Sequence, residues 1–437
     1  MFYNDAVAIF TRGYEAVLPA NLLAGYIQHD DQHLQIGDVI YDKKSFNKIY
    51  VAAIGKAACG MALCVQNSMG SLIADGIVVT KNGHVLDGIT WPVYQAAHPI
   101  PDQTSLSAAN ALIQFIQRAE KDDLVIVLIS GGASALITDC PIGIDFIELQ
   151  EFYQQLLFCG ATIDEMNTIR KHLSSIKGGQ LLNYIQPATT HSLVLSDVIG
   201  DDFSVIASGL TYPDFSTFQD AIKIVIKYGL QKIIAPSILK YLNLGANGFK
   251  KETLKPDNPL FNHVTNILIG SNTIALQASA THARELGYEV KKISEPLSGE
   301  ACETAASIIS YIMDLPITLP TCFIAGGETT VTVKGEGKGG RNQHVVLSAL
   351  WQLRKMGIKN YPVILCGGTD GTDGPTDAAG AILDDLINKK AIELNLDVAA
   401  YLNNNDAYYF FNQIDGLFFT GPTNTNVMDL LIILRHP

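Results

Sequence analysis

Between Thr321 and Met356 the chain concentrates groups suited to holding a polyanion. Lys334, Lys338 and Arg341 are interleaved with Gly335, Gly337, Gly339 and Gly340, and Glu328 stands ahead of them. The residues before this loop are apolar and β-branched (Phe323 to Ile324, then Thr329 to Val333), with a break at Gly326-Gly327-Glu328. After it, Val346, Ala349 and Leu353 recur at i, i+3 and i+7, which predicts a helix. Arg354, Lys355 and Gly357 mark the end of that helix. A strand, a glycine loop and a helix N-terminus together aim backbone amides and a helix dipole at one point, as phosphate oxygens require. A plain flexible surface loop is the competing reading.

Further groups fall at the ends of predicted strands. Lys48 to Ile54 reads as a buried strand that runs into Gly55-Lys56, with small Ala57, Ala58 and Gly60 opening a helix. Lys56 therefore sits at a strand's C-terminal end, where open α/β sheets place their sites; the alternative is a solvated lysine. Leu124 to Ile129, the most continuous aliphatic run, leads into Ser130-Gly131-Gly132-Ala133-Ser134. Two hydroxyls and two glycines there suit a carboxylate or phosphate, although a tight turn would use the same glycines. Asp145 to Ile185 reads as helical, so Arg170, Ser174 and Lys177 would form a basic stripe, either a substrate-anion clamp or a solvated face. The strand His191 to Leu195 ends in Ser196-Asp197-Val198-Ile199-Gly200-Asp201-Asp202. Carboxylates at that position suit magnesium, or Asp197 could take a proton from a substrate hydroxyl. A loop from Gly367 to Gly380 adds Thr369, Asp370, Asp373 and Asp377 without the order of a calcium-binding EF-hand. His98 reads as structural.

The elements that must position these groups alternate between strand and helix, which implies an α/β fold. With 437 residues, 48% of them hydrophobic, two domains are expected, joined by the polar stretch Gly245 to Pro259. The expected boundaries are 1–245 and 258–437, the second domain starting its βαβ rhythm at Asn266 to Gly270. A formal charge of −13 argues against a nucleic-acid partner. No aliphatic run is long enough to span a membrane. The first ten residues lack a basic n-region, so no signal peptide is expected. Seven cysteines without CxxC spacing point to reduced thiols in the cytoplasm. The ten histidines show no zinc pattern.

Taken together, Gly55 to Ala57 (GKA), Ile129 to Leu136 (ISGGASAL), Arg170 to Gly179 (RKHLSSIKGG), Ser196 to Asp202 (SDVIGDD), Gly335 to Gln343 (GEGKGGRNQ) and Gly368 to Gly380 (GTDGTDGPTDAAG) resemble the glycerate 2-kinase family, whose C-terminal domain is called MOFRL. The likeness runs through nearly the whole chain in the family's order. It implies ATP- and magnesium-dependent phosphorylation of D-glycerate at its 2-hydroxyl. It further implies two α/β domains, the N-terminal one Rossmann-like with a mostly parallel sheet, and an active site in the cleft between them. Lys56 and Arg341 are the active-site residues it implies, and Asp197 joins them as base or metal ligand. Candidate contacts to substrate and phosphates are Ser130, Gly131, Gly132, Ser134, Arg170, Lys177, Glu328, Gly335, Gly337, Lys338, Gly339, Gly340, Asn342, Thr369 and Asp370. Asp197, Asp202 and Asp373 are the candidate magnesium ligands. The partners expected are small molecules, with a homodimer left open. Leu210, Thr329 and Asn424 depart from the family pattern and bear on loop shape rather than charge.

The runner-up is an NAD(P)H-dependent hydroxypyruvate reductase, because Gly335, Gly337 and Gly340 spell G-x-G-x-x-G. Lys359 to Pro362, about where that fingerprint wants an acidic ribose partner, offers none. No G-x-x-x-x-G-K-[ST] loop is present, so any kinase here is not of the P-loop kind.

Overall fold

The computed structural model describes residues 2–185 and 187–437. The chain divides into two compact units, one of residues 22–269 and one formed from 1–21 together with 270–437.

The 22–269 unit is built on a six-stranded sheet. Five of its strands are mutually parallel, in the spatial order Val93–Ala96, Asp75–Lys81, Ile49–Ile54, Leu124–Ile129 and Thr189–Leu195. The two middle strands are buried at every residue, the pattern of parallel strands covered on both faces. Chain order reverses between them: strands that follow Ile49–Ile54 lie to one side, and Leu124–Ile129 and Thr189–Leu195 lie to the other. Such a switch point sends the two following connections to opposite faces of the sheet, and open α/β sheets hold ligands at the strands' C-terminal ends there. Val264–Gly270 is the sixth strand, at the edge beside Thr189–Leu195.

The proposed division at residue 245 therefore differs from the observed one. The polar stretch from Gly245 to Pro259 is bound into the first unit, with buried Thr253 donating to the Asp214 carboxylate at 2.9 Å and Leu254 N–H donating to Gly178 C=O at 3.2 Å. Asn266 to Gly270 completes the first sheet rather than opening a second. The long helix expected over Asp145 to Ile185 is three helices, Phe146–Phe158, Ile163–His172 and Leu182–Ile185. Gly160, at φ 82°, ends the first of these, and a Thr162–Glu165 capping box starts the next. Gly178 and Gly179, at φ 60° and 78°, keep the chain from returning to helix before Leu182.

The other unit carries a mixed six-stranded sheet. Its C-terminal strand, Asp429–Arg435, lies between Thr321–Gly327 and Val363–Gly368 and is antiparallel to both. Gly380–Leu383 and Leu417–Phe418 extend one side, and Glu289–Lys292 extends the other. No strand forms over Thr329 to Val333; that run leaves the sheet after Gly327. The helix Phe2–Glu15 belongs to this unit, burying Ala6, Ile9, Phe10 and Gly13. Asn424 has φ 59°, a left-handed conformation that asparagine tolerates where glycine is the easier choice.

Candidate active site

In the 22–269 unit the two loops of the switch point are tied together. Lys56 N–H donates to Gly131 C=O at 2.9 Å, and Ala57 N–H donates to Ser130 Oγ at 3.1 Å. Gly55 has φ 129°, and a β-carbon there would stand 2.2 Å from Ser130 Oγ, so no other residue fits. Asp197 follows the neighbouring strand and lies against Gly131, where an added β-carbon would be 2.0 Å from Asp197 Oδ2. Burial pushes the Asp197 carboxyl up, while the Lys56 charge and the Gly132 N–H oppose that shift. A lysine, a glycine turn and a carboxylate thus meet at the sheet's crevice.

His98 also lies there. A β-carbon on Gly132 would stand 3.2 Å from its Nε2 and 3.4 Å from Lys56 Cγ. Burial first, then the charges of Lys56 and Lys81, lower its pKa to about 3, so the ring is neutral. The sequence reads His98 as structural, and a buried neutral ring packed against Gly132 is in keeping with that.

The basic residues beyond the turn do not form an exposed stripe. The helix carrying Arg170 stops at His172, and Ser174 and Lys177 follow it as buried residues. Arg170 lies over the Tyr153 ring at 5.8 Å. Lys177, 1% exposed, donates to Ile137 C=O at 3.0 Å, and burial lowers it to about 8 against the opposing charge of Asp139. Ser134 Oγ pairs with Ser208 Oγ at 2.7 Å, and Ser208 donates to Asn167 Oδ1 at 2.9 Å, so the glycine turn and the Arg170 helix are braced together.

In the other unit the basic glycine loop is held by its own chain. The amides of Lys334 and Gly335 donate to Asn405 Oδ1 at 2.7 and 3.0 Å. Those of Glu336, Gly337 and Lys338 donate to Asn404 Oδ1, Asn404 C=O and Asp406 Oδ1. The anion expected at the helix N-terminus is Asp373, which accepts from the amides of Asn342 at 3.0 Å and Gln343 at 2.8 Å. Burial raises Asp373 to about 7, with those amides opposing and the Asp429 charge adding to the rise. A β-carbon at Gly340 would stand 2.2 Å from Asp373 Cγ, which accounts for that glycine by packing. The G-x-G-x-x-G string is thus no tight strand-to-helix turn, and the dinucleotide reading loses its structural basis.

Arg341 is the first residue of the helix Arg341–Lys355. Its Nε and Nη2 donate to Asp429 at 2.6 and 3.0 Å, and its Nη1 pairs with Glu328 at 2.7 Å. Against burial, these carboxylates hold its pKa above the ordinary range. Asp429 is cross-strand partner to Gly327 on one side and Gly368 on the other, so no neighbouring side chain competes for it. Sequence reasoning missed Asp429; the available signal was one acid opening an otherwise aliphatic strand. Thr369 is fully buried and donates to Met428 C=O at 2.6 Å, a structural bond, whereas Asp370 accepts from Thr372 in its own turn.

Among the described residues, no group of three or more His, Cys, Asp or Glu could hold a metal ion. Asp373 does not suit magnesium, because it is 1% exposed and both its oxygens cap a helix. Asp202 accepts from Ser204 N–H at 2.8 Å within its own turn. Backbone contacts alone leave the rest of a carboxylate open, so Asp197 and Asp202 stay as the candidates for an ion that arrives with most of its ligands, as magnesium on nucleotide phosphates does.

Residues 5–243 match the profile described as a domain of unknown function, DUF4147, and residues 321–429 match the MOFRL family. A glycerate 2-kinase from Pyrococcus horikoshii is 39% identical over 405 residues, covering 91% of this chain and 90% of its own. A D-glycerate 2-kinase from Thermotoga maritima is 39% identical over 398 residues, covering 89% of this chain and 91% of its own. The crystal structure of a Thermotoga maritima glycerate kinase matches with a TM-score of 0.84 at 36% identity, over 99% of both chains. An Agrobacterium vitis protein with a provisional hydroxypyruvate reductase name is 37% identical over 395 residues, 88% of this chain and 86% of its own. With both profiles matched in order and kinase relatives aligned along most of its length, the chain belongs to the glycerate 2-kinase family.

Proposed function

We propose that this protein transfers the γ-phosphoryl group of ATP to the 2-hydroxyl of D-glycerate, giving 2-phosphoglycerate and ADP in the cytoplasm. One observation carries the reading: Lys56, the Gly131-Gly132 turn and Asp197 gather at the switch point of a parallel sheet. Phosphoryl transfer needs a cation on the migrating group, an aligned hydroxyl and a group to take its proton. Lys56 is assigned the first role, and the turn with Ser130 and Ser134 aligns the acceptor. Asp197 takes the hydroxyl proton, and burial makes it a better base than an exposed carboxylate. Arg341, oriented by Asp429, is assigned to the nucleotide phosphates with Lys338. Magnesium would arrive on the nucleotide phosphates and neutralise their charge; holding that ion is the alternative to the role of base for Asp197. All seven cysteines are free, in keeping with a reducing compartment.

The test is a pair of assays on the purified chain: D-glycerate, ATP and magnesium in one, hydroxypyruvate with NADH in the other. Glycerate-dependent ADP release is expected, with a 2-phosphate ester identified by 31P NMR. NADH consumption without ADP release would overturn the reading. Lys56→Ala and Arg341→Ala should each lower turnover at least about a hundredfold while keeping the native circular dichroism spectrum. Normal turnover in either variant removes that residue from its assigned role.

A further inference from the structure

One turn along from Arg341, the helices Ala301–Asp314 and Arg341–Lys355 bring a thiol, an imidazole and a hydroxyl together. Cys302 Sγ lies 3.1 Å from His344 Nε2, and Ser348 Oγ donates to the same sulfur at 3.1 Å. His344 and Ser348 are one turn apart on a single helix face, so both point at Cys302. His344 is 4% exposed, and burial lowers its pKa against the Glu300 charge, so the ring is neutral where its Nε2 faces the sulfur. Cys302 is partly exposed and lies in the first turn of its helix, so a small reagent can reach it. The remaining cysteines lack this surround. Burial raises Cys59, Cys64, Cys140, Cys322 and Cys366, and Cys159 donates to Leu156 C=O.

We propose that Cys302 is an oxidative modification site for small hydroperoxides, with His344 as its base and Ser348 as the hydrogen-bond donor to its thiolate. His344 Nε2 takes the thiol proton, and the thiolate sulfur attacks one peroxide oxygen. The S–O bond forms as the O–O bond breaks. The departing oxygen takes the proton back from the imidazolium and leaves as water or an alcohol. Sulfur loses two electrons, the peroxide gains two, and a sulfenic acid remains. None of these steps depends on the kinase reading.

The experiment uses the full, reduced chain with one equivalent of hydrogen peroxide and dimedone as trap, each cysteine being read by peptide mass spectrometry. The adduct on Cys302 should exceed that on each other cysteine by about tenfold. His344→Gln should lower it about tenfold, and Ser348→Ala about threefold; the second variant serves if the first does not fold. Equal labelling of Cys302, Cys64 and Cys159 overturns the proposal. So does full Cys302 labelling in either variant with native circular dichroism.

Discussion

Lys177 illustrates how a residue's surroundings can reverse the role its spacing suggests. It recurs at helical intervals with Arg170, yet the helix ends first and the amine is enclosed. Burial moves it from its ordinary 10.5 to about 8. Between those values the unfolded chain holds a proton that the folded chain has released, so stability rises with pH across that window. The gain is on the order of 3 kcal/mol in total. Urea unfolding of the wild type should show this rise between pH 8 and 10.5, and Lys177→Met should lack it. Parallel pH profiles for the two proteins would contradict the assignment. Arg341 gives the converse case, an exposed-looking cation fixed by carboxylates. Asp429 is 1% exposed and Glu328 46% exposed on their side chains. Asp429→Asn should therefore cost about 3 kcal/mol by leaving Arg341 poorly compensated. Glu328→Gln should cost less than about 1 kcal/mol. Urea midpoints for the two variants check the ranking, and equal midpoints would refute it.

The glycine loop shows what was legible at the level of elements and what was not. Continuous aliphatic runs at Ile49–Ile54 and Leu124–Ile129 identified the parallel strands, because burial on both faces leaves that trace in one segment. The helix after Arg341 was equally plain from its period. The acceptors for the loop's amides were not, because Asn404, Asn405 and Asp406 lie about seventy residues further on in sequence. Asp429 escaped for the same reason, and Asp373, named from the sequence as a magnesium ligand, proved to cap a helix instead: a sequence period reports local faces and never the far partner. Hydrogen exchange offers a direct check on this brace. Asn405→Ala removes the acceptor of two amides, so exchange at Lys334 and Gly335 should accelerate at least about tenfold. Protection across Thr321–Gly327, whose partners lie in the sheet, should not change. Unaltered exchange at Lys334 and Gly335 would mean that other acceptors hold the loop.

At the scale of the whole chain, the first segment folds with the last. Sequence order suggested two consecutive domains, and a helix period alone could not say which sheet Phe2–Glu15 would cover. The structure assigns it through long-range contacts within one unit. Ser279 Oγ donates to Ile9 C=O at 3.0 Å, Tyr288 OH to Asp5 Oδ2 at 2.8 Å, and Thr425 Oγ1 to Val17 C=O at 2.6 Å. The Phe10 and Phe418 rings meet edge to face at 5.0 Å. Each large apolar side chain fully buried contributes about 1.5–3 kcal/mol, and Ile9, Phe10 and Val17 are all fully buried. Their sum rivals the net stability of an ordinary domain, about 5–15 kcal/mol. A fragment of residues 270–437 should therefore lack a cooperative thermal transition. The same fragment carrying residues 1–21 on a flexible glycine-serine linker should regain one. Residues 22–269, which keep their own sheet and core, should unfold cooperatively without either. Circular dichroism melts of the three proteins test this, and a sharp transition in 270–437 alone would show that the first helix is not needed to complete that unit.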